Sequence, residues 1–233
     1  MGASVELRRR SKLADGIAAI AANWLTLAII FLLNTGLVFA AYLLRSERRA
    51  VPKVDLVVVF DTTSSMMEEI WGMVRASRDL AAELAMTGSD YRIGALCFGE
   101  ELRETHPMTD DAEQIRSFFA GLDAWGGGDE DFVHAGMTVL RTMDWRSDAK
   151  RFLVFITDEP YRRPSAAGES FGDLRTAVRG TAATVYVAAI PEVPDYRTLA
   201  EESGGKFYDI HSTTHFDLII LAIGENIAKS LSQ

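Results

Sequence analysis

The sequence predicts an α/β domain, doubly wound around a mostly parallel central sheet with one antiparallel edge strand and helices on both faces, preceded by one transmembrane helix. Three observations predict it. Runs such as DLVVVF (55–60) and RFLVFIT (151–157) are apolar at successive positions, as strands covered on both faces are. Stretches with apolar residues at helical spacing separate these runs. The chain also carries WLTLAIIFLLNTGLVFAAYLL at 24–44, 21 positions without a charge, where about 20 apolar residues cross a bilayer.

The boundaries that follow are a basic N-terminal segment at 1–23, the transmembrane helix at 24–44, a linker at 45–53 and the α/β domain at 54–233. In the first segment Leu13, Ile17, Ile20 and Trp24 recur at helical spacing, which predicts a helix that starts early or lies along the interface. Trp24 and Tyr42 stand where interfacial aromatics belong, so the bilayer is the partner of 24–44. A cleaved signal peptide would have a shorter apolar run, and Arg45, Arg48 and Arg49 follow this one, as they follow an anchor. The flanking cations are matched on the two sides, but a lone anchor with a basic start places the domain on the periplasmic or extracellular side. Asn34, at mid-span, with Gly36 and Ala40 as a small-xxx-small pair, suits packing against another transmembrane helix.

Within the domain the expected strands are Asp55 to Phe60, Tyr91 to Phe98, Leu102 to His106, Arg151 to Thr157, Thr184 to Ile190 and Lys206 to Asp209. The second and third, joined through Gly99 and Glu100, read as a hairpin, which makes one edge antiparallel. Helices are expected at Met66 to Met86, from Asp110 with Glu113 through Leu122, and at Phe132 to Met143, Gly172 to Arg179, Tyr196 to Glu202 and Phe216 to Leu231. Ser65 and Glu68 have the spacing of a capping box for the first of these.

Composition narrows the function. The first 50 residues hold seven Lys and Arg against three Asp and Glu, and the remainder 17 against 30. So acidic a body is no surface for nucleic acid. The single cysteine, Cys97, lies in the apolar run IGALCF and reads as a small core residue.

Ligands of open α/β sheets bind beyond the carboxyl ends of the strands, where the winding reverses. The first strand ends there in Asp61, Thr62, Thr63, Ser64 and Ser65; a later one ends in Asp158; between them AWGGGDED places Asp129 in a glycine-rich turn. Oxygens at alternate positions 61, 63 and 65 can face one point, with Asp158 arriving from the neighbouring strand. Carboxylates and hydroxyls without His or thiol suit a hard divalent cation: Mg²⁺, Ca²⁺ or Mn²⁺. The metal set is therefore Asp61, Thr63, Ser65, Asp129 and Asp158. His211 and His215 stand four apart in HSTTH but lack the HExxH context of a zinc site and read as surface residues.

These motifs resemble the metal-ion-dependent adhesion site of von Willebrand factor type A domains. That family's Asp-x-Ser-x-Ser is matched by Asp61, Thr63 and Ser65, with Thr for the first Ser, and its late Asp by Asp158 in FITDEP. The resemblance covers roughly residues 52 to 231. It implies a sheet of largely parallel strands ringed by helices, direct contact of Thr63 and Ser65 with the metal, and action of Asp61 and Asp158 through water. The middle loop departs from the best-known version: where a Thr completes the site, GGGDE places Asp129. A third carboxylate holds the ion more tightly and leaves it less able to accept an acid from a partner.

Enzymatic activity is not expected. A phosphatase of the haloacid dehalogenase type needs a second Asp where Thr63 stands, and neither a P-loop nor a GxSxG elbow is present. The sequence reads as a membrane-anchored module that binds membrane-associated protein partners through its metal face. The alternative is an accessory subunit of a larger membrane complex, docked by its transmembrane helix, with the metal site structural or vestigial.

Overall fold

The structure, a computed structural model, describes residues 23–24, 31–39, 51–213 and 215–231. The chain divides into two units, Met1–Ala50 and Val51–Gln233. In the first, residues 23–24 and 31–39 are helical, and Phe31, Leu32, Leu33, Leu37, Val38 and Phe39 are all exposed. Among the described residues no helix is long and apolar enough to cross a membrane. Most of the predicted span lies outside the described residues, as do Ala40, the basic segment 1–22 and linker positions 45–50. Asn34 and Gly36 stand on the helical segment.

The second unit alternates strands and helices: β1 (Lys53–Asp61), α1 (Met67–Met86), β2 (Asp90–Phe98), β3 (Leu102–Thr109), α2 (Ala112–Ala120), α3 (Phe132–Thr142), β4 (Lys150–Ile156), α4 (Phe171–Thr181), β5 (Thr184–Ala189), α5 (Pro194–Glu202), β6 (Phe207–Asp209) and α6 (Phe216–Leu231). The six strands lie in the order β3-β2-β1-β4-β5-β6. All neighbours are parallel except β2 and β3, as the hairpin predicts. β1 is the centre, and from Val54 to Asp61 every residue is buried. Its Val, Leu and Phe side chains each stabilise the fold by about 2 kcal/mol on burial. From β1 the chain winds first to β2 and later to β4 on the other side, so the winding reverses between the ends of β1 and β4.

Some boundaries differ from expectation, each for a local reason. β3 runs on past His106 through Pro107 to Thr109, which an edge strand tolerates because one row of its N–H groups needs no partner. The capping box of Ser65 and Glu68 does not form. A 3₁₀ turn, Ser64–Met66, precedes α1, and its N-cap makes no side-chain hydrogen bond. Ser65 directs its hydroxyl elsewhere, as described below. α2 is capped by Asp111, whose carboxylate accepts from the Glu113 and Gln114 amides, and Asp110 stands outside. A capping box does form at Ser170 and Asp173, at the start of α4. His211 is exposed in a turn and His215 is exposed just before α6, so the pair shares no helix face.

Candidate metal centre

The centre is built from three loops at the reversal point. The first leaves β1 at Asp61, which is fully buried. Its Oδ1 accepts from the Thr63 amide at 2.8 Å and the Thr63 hydroxyl at 2.7 Å, and its Oδ2 accepts from the Thr157 hydroxyl at 2.8 Å. Asp61 thus turns the chain back on itself and aims Thr63. The Thr63 and Ser65 hydroxyl oxygens stand 3.5 Å apart, and Ser65 Oγ donates to Asp158 Oδ1 at 3.0 Å. Oxygens from residues 93 positions apart therefore meet at one point. Asp158 arrives because β4 pairs in parallel with β1, Phe60 opposite Ile156.

The middle loop, 121–131, is tied to the first. Trp125 N–H donates to the Thr62 carbonyl at 3.1 Å, and Gly126 carbonyl accepts from the Ser64 amide at 3.2 Å and its hydroxyl at 2.6 Å. Gly126 has φ +77°, a conformation that costs a glycine little. Arg103 on β3 clamps the junction. It donates to the Thr62 carbonyl at 2.6 Å and the Trp125 carbonyl at 2.9 Å and lies 3.9 Å over the Trp125 ring.

This loop brings a different acid inward from the one the sequence singled out. Asp129 is exposed, whereas Glu130 is fully buried. Glu130 is fixed through its backbone, in a bridge with Tyr161 and by accepting the Arg162 amide at 2.8 Å. Both oxygens of its carboxyl group are buried without a hydrogen-bond partner. Glu130 is held by the bridge to Tyr161, whereas Asp129 lies in the bend before it, and no residue-type preference in GGGDE selects one acid over the other.

The electrostatics of the cluster are those of carboxylates short of a counter-charge. Burial raises the Asp61 carboxyl to about 6, against the hydrogen bonds from Thr63 and Thr157, and the nearby Asp158 charge adds to the rise. Burial likewise raises Glu130 to about 8, with the charges of Asp61 and Asp158 adding and that of Arg103 opposing. Raised carboxyl groups of this kind make the cluster a candidate functional site. Of the two arginines in the loop after Asp158, Arg163 is already engaged: it pairs with Asp195 at 2.9 Å and lies 4.4 Å over the Tyr161 ring.

Among the described residues, no three His, Cys, Asp or Glu side chains are gathered closely enough to hold an ion by themselves. The donors that converge are instead the hydroxyls of Thr63 and Ser65 with the Asp158 carboxylate, backed by Asp61. This mixed oxygen set fits a hard cation such as Mg²⁺, which keeps several waters and takes one or two carboxylates.

No family profile matches the chain. Human integrin beta-4 is 26% identical over 142 residues, which amount to 46% of this chain and 8% of that protein. The chain thus spans under a tenth of that relative's length. An aerotolerance-related membrane protein from Bacteroides fragilis, solved with multiple mutations to serine, superposes with a TM-score of 0.56 at 15% identity, covering 76% of this chain and 99% of that one. The conserved hypothetical protein BatB from Bacteroides thetaiotaomicron gives 0.58 at 16% identity, covering 77% and 100%. The strand order, the antiparallel edge, the Asp61-x-Thr63-x-Ser65 turn and these likenesses agree. The described residues from 51 to 231 have the von Willebrand factor type A fold.

Proposed function

We propose that this domain is a protein-binding module that holds a divalent cation, Mg²⁺, Ca²⁺ or Mn²⁺, at the rim between β1 and β4, and that residues 24–44 tether it to a membrane. Thr63, Ser65 and Asp158 would hold the ion, with Asp61 orienting Thr63. The observation that carries this reading is the meeting of Ser65 and Asp158 at 3.0 Å beside Thr63. Next to it runs a groove of about 490 Å³ lined by Glu68, Glu69, Trp71, Arg75, Ile210, His211, Thr213 and Phe216. The Asp158 charge is felt at Glu69, so groove and rim are neighbours. Trp71 in its lining is exposed, and tryptophan is enriched in protein interfaces. The partner is accordingly a protein, one associated with the same membrane.

The tether rests on the uncharged run at 24–44 and on the helical segment 31–39, whose large apolar side chains are exposed. A helix whose surface is largely apolar needs lipid or another helix around it. That observation favours a second reading, in which the chain is an accessory subunit docked through Asn34, Gly36 and Ala40.

Pull-down of the tagged full chain from native membranes in mild detergent separates the two. Under the first reading Asp61→Ala, or a chelator, strips the partner away, and Asn34→Leu with Gly36→Leu leaves it bound. The opposite pattern establishes docking through the helix.

A further inference from the structure

We propose that Glu130 is the acidic residue of the middle loop that answers the cation, directly or through one water, and that Asp129 is a solvated neighbour. The inference rests on the metal reading above and names a donor that reading lacks. Glu130 is the one residue among those described whose buried side-chain oxygens have no partner, and both of them are so. A buried carboxylate costs several kcal/mol unless a positive charge or donors face it. The acids that act on it most strongly are Asp61 and then Asp158, which repel it and stand at the proposed cation position. The nearby cation, Arg103, spends its donors on the carbonyls of Thr62 and Trp125.

The backbone does not leave this side chain free to move out. Glu130 bridges to Tyr161 and accepts from the Arg162 amide, while the Asp131 amide donates to the Gly99 carbonyl at 2.8 Å. The segment is pinned on both sides, and the carboxyl group is buried. What it lacks is a donor or cation in contact with its oxygens, and a divalent ion on Thr63, Ser65 and Asp158 provides one. Asp129 is exposed and has no such deficit.

The test is calorimetric titration of Mg²⁺ and of Mn²⁺ into the full chain in detergent, for wild type, Glu130→Gln and Asp129→Asn, with thermal unfolding in chelator and in saturating ion. Glu130→Gln is expected to weaken binding at least about tenfold, the loss seen when a supporting group of a metal site is removed. It should also unfold in chelator no earlier than wild type, because it removes the cost of holding a buried acid either protonated or without a partner. Asp129→Asn should bind within about twofold of wild type. Wild-type affinity in Glu130→Gln, or a tenfold loss in Asp129→Asn, overturns the assignment and leaves the metal site standing. Earlier unfolding of Glu130→Gln in chelator and in ion alike also overturns it, since a purely structural side chain behaves so. Failure of the wild type to bind either ion overturns the assignment together with the metal reading.

Discussion

Two aspartates of the same strand, six positions apart, show how differently the domain treats its two ends. Asp55 and Asp61 both lie on β1 and both are fully buried. Asp55 is met by two arginines. Arg92 donates from Nε and Nη2 at 3.0 Å each, and Arg146 from its amide at 2.7 Å and its Nε at 2.9 Å. Burial would raise its carboxyl, yet these bonds and charges hold it below the ordinary value. Asp61 receives only neutral donors and stands near Asp158, and its carboxyl rises to about 6. The fold has the means to neutralise a buried acid from its own chain and does so at one end. At the other it leaves the negative charge unmatched, as the proposed cation site requires.

The contrast can be broken most forcefully at the compensated end. Asp55→Asn leaves two partly buried guanidinium groups with only their outer partners, Asp144 and Asp90, and is expected to cost about 3 kcal/mol, the lower range for breaking a buried ion pair. Denaturant unfolding in chelator and in Mg²⁺ checks it: the same loss in both is expected. A loss that Mg²⁺ abolishes would mean that the two ends do not act separately.

The pH dependence of stability should have opposite signs at the two ends. For Asp61 the folded value is about 6 against 3.8 in a model peptide. Between those values the unfolded chain has lost a proton that the folded chain keeps, so stability falls as pH rises through that window. Glu130, at about 8, carries the decline further. Asp55 is shifted downward, so its contribution is present above about 4 and is lost as pH falls through its lowered folded value. Thermal unfolding in chelator from pH 5 to 8 should therefore show a falling midpoint, and saturating Mg²⁺ should flatten or reverse it. A midpoint that rises across this range in chelator contradicts the assignment of the unmatched charge to the rim.

A smaller effect is expected from Ser65→Ala. It removes one hydroxyl and its bond to Asp158, and should weaken Mg²⁺ binding by about tenfold while shifting the cation-free midpoint little, because the residue is exposed. Calorimetry decides, and unchanged affinity would remove Ser65 from the site.

How much of this was legible in the sequence follows from what each signal depends on. Strand and helix order is written in local apolar spacing, so β1, β4 and α1 could be read directly. Asp61, Thr63, Ser65 and Asp158 were legible because they follow strands at short, fixed offsets. The choice between Asp129 and Glu130 depends on which side of the loop each faces. That is set by the Tyr161 bridge and the Arg162 amide, some 30 positions away, and adjacent acids in GGGDE carry no sign of it. The arginine pair around Asp55 was missed for a similar reason. Arg92 begins a strand and Arg146 sits in a loop 91 positions from Asp55, so only the sheet register unites them. Ser65 looked like a helix cap because the capping motif is local, and the tertiary bond to Asp158 prevailed.

The central claim is tested most directly by counting bound Mn²⁺ on the purified full chain by electron paramagnetic resonance, wild type against Asp61→Asn. One Mn²⁺ per chain, displaced by Mg²⁺ and absent from the variant, is the predicted result. Equal occupancy in the two proteins, or none in the wild type, would contradict a cation site at the end of β1.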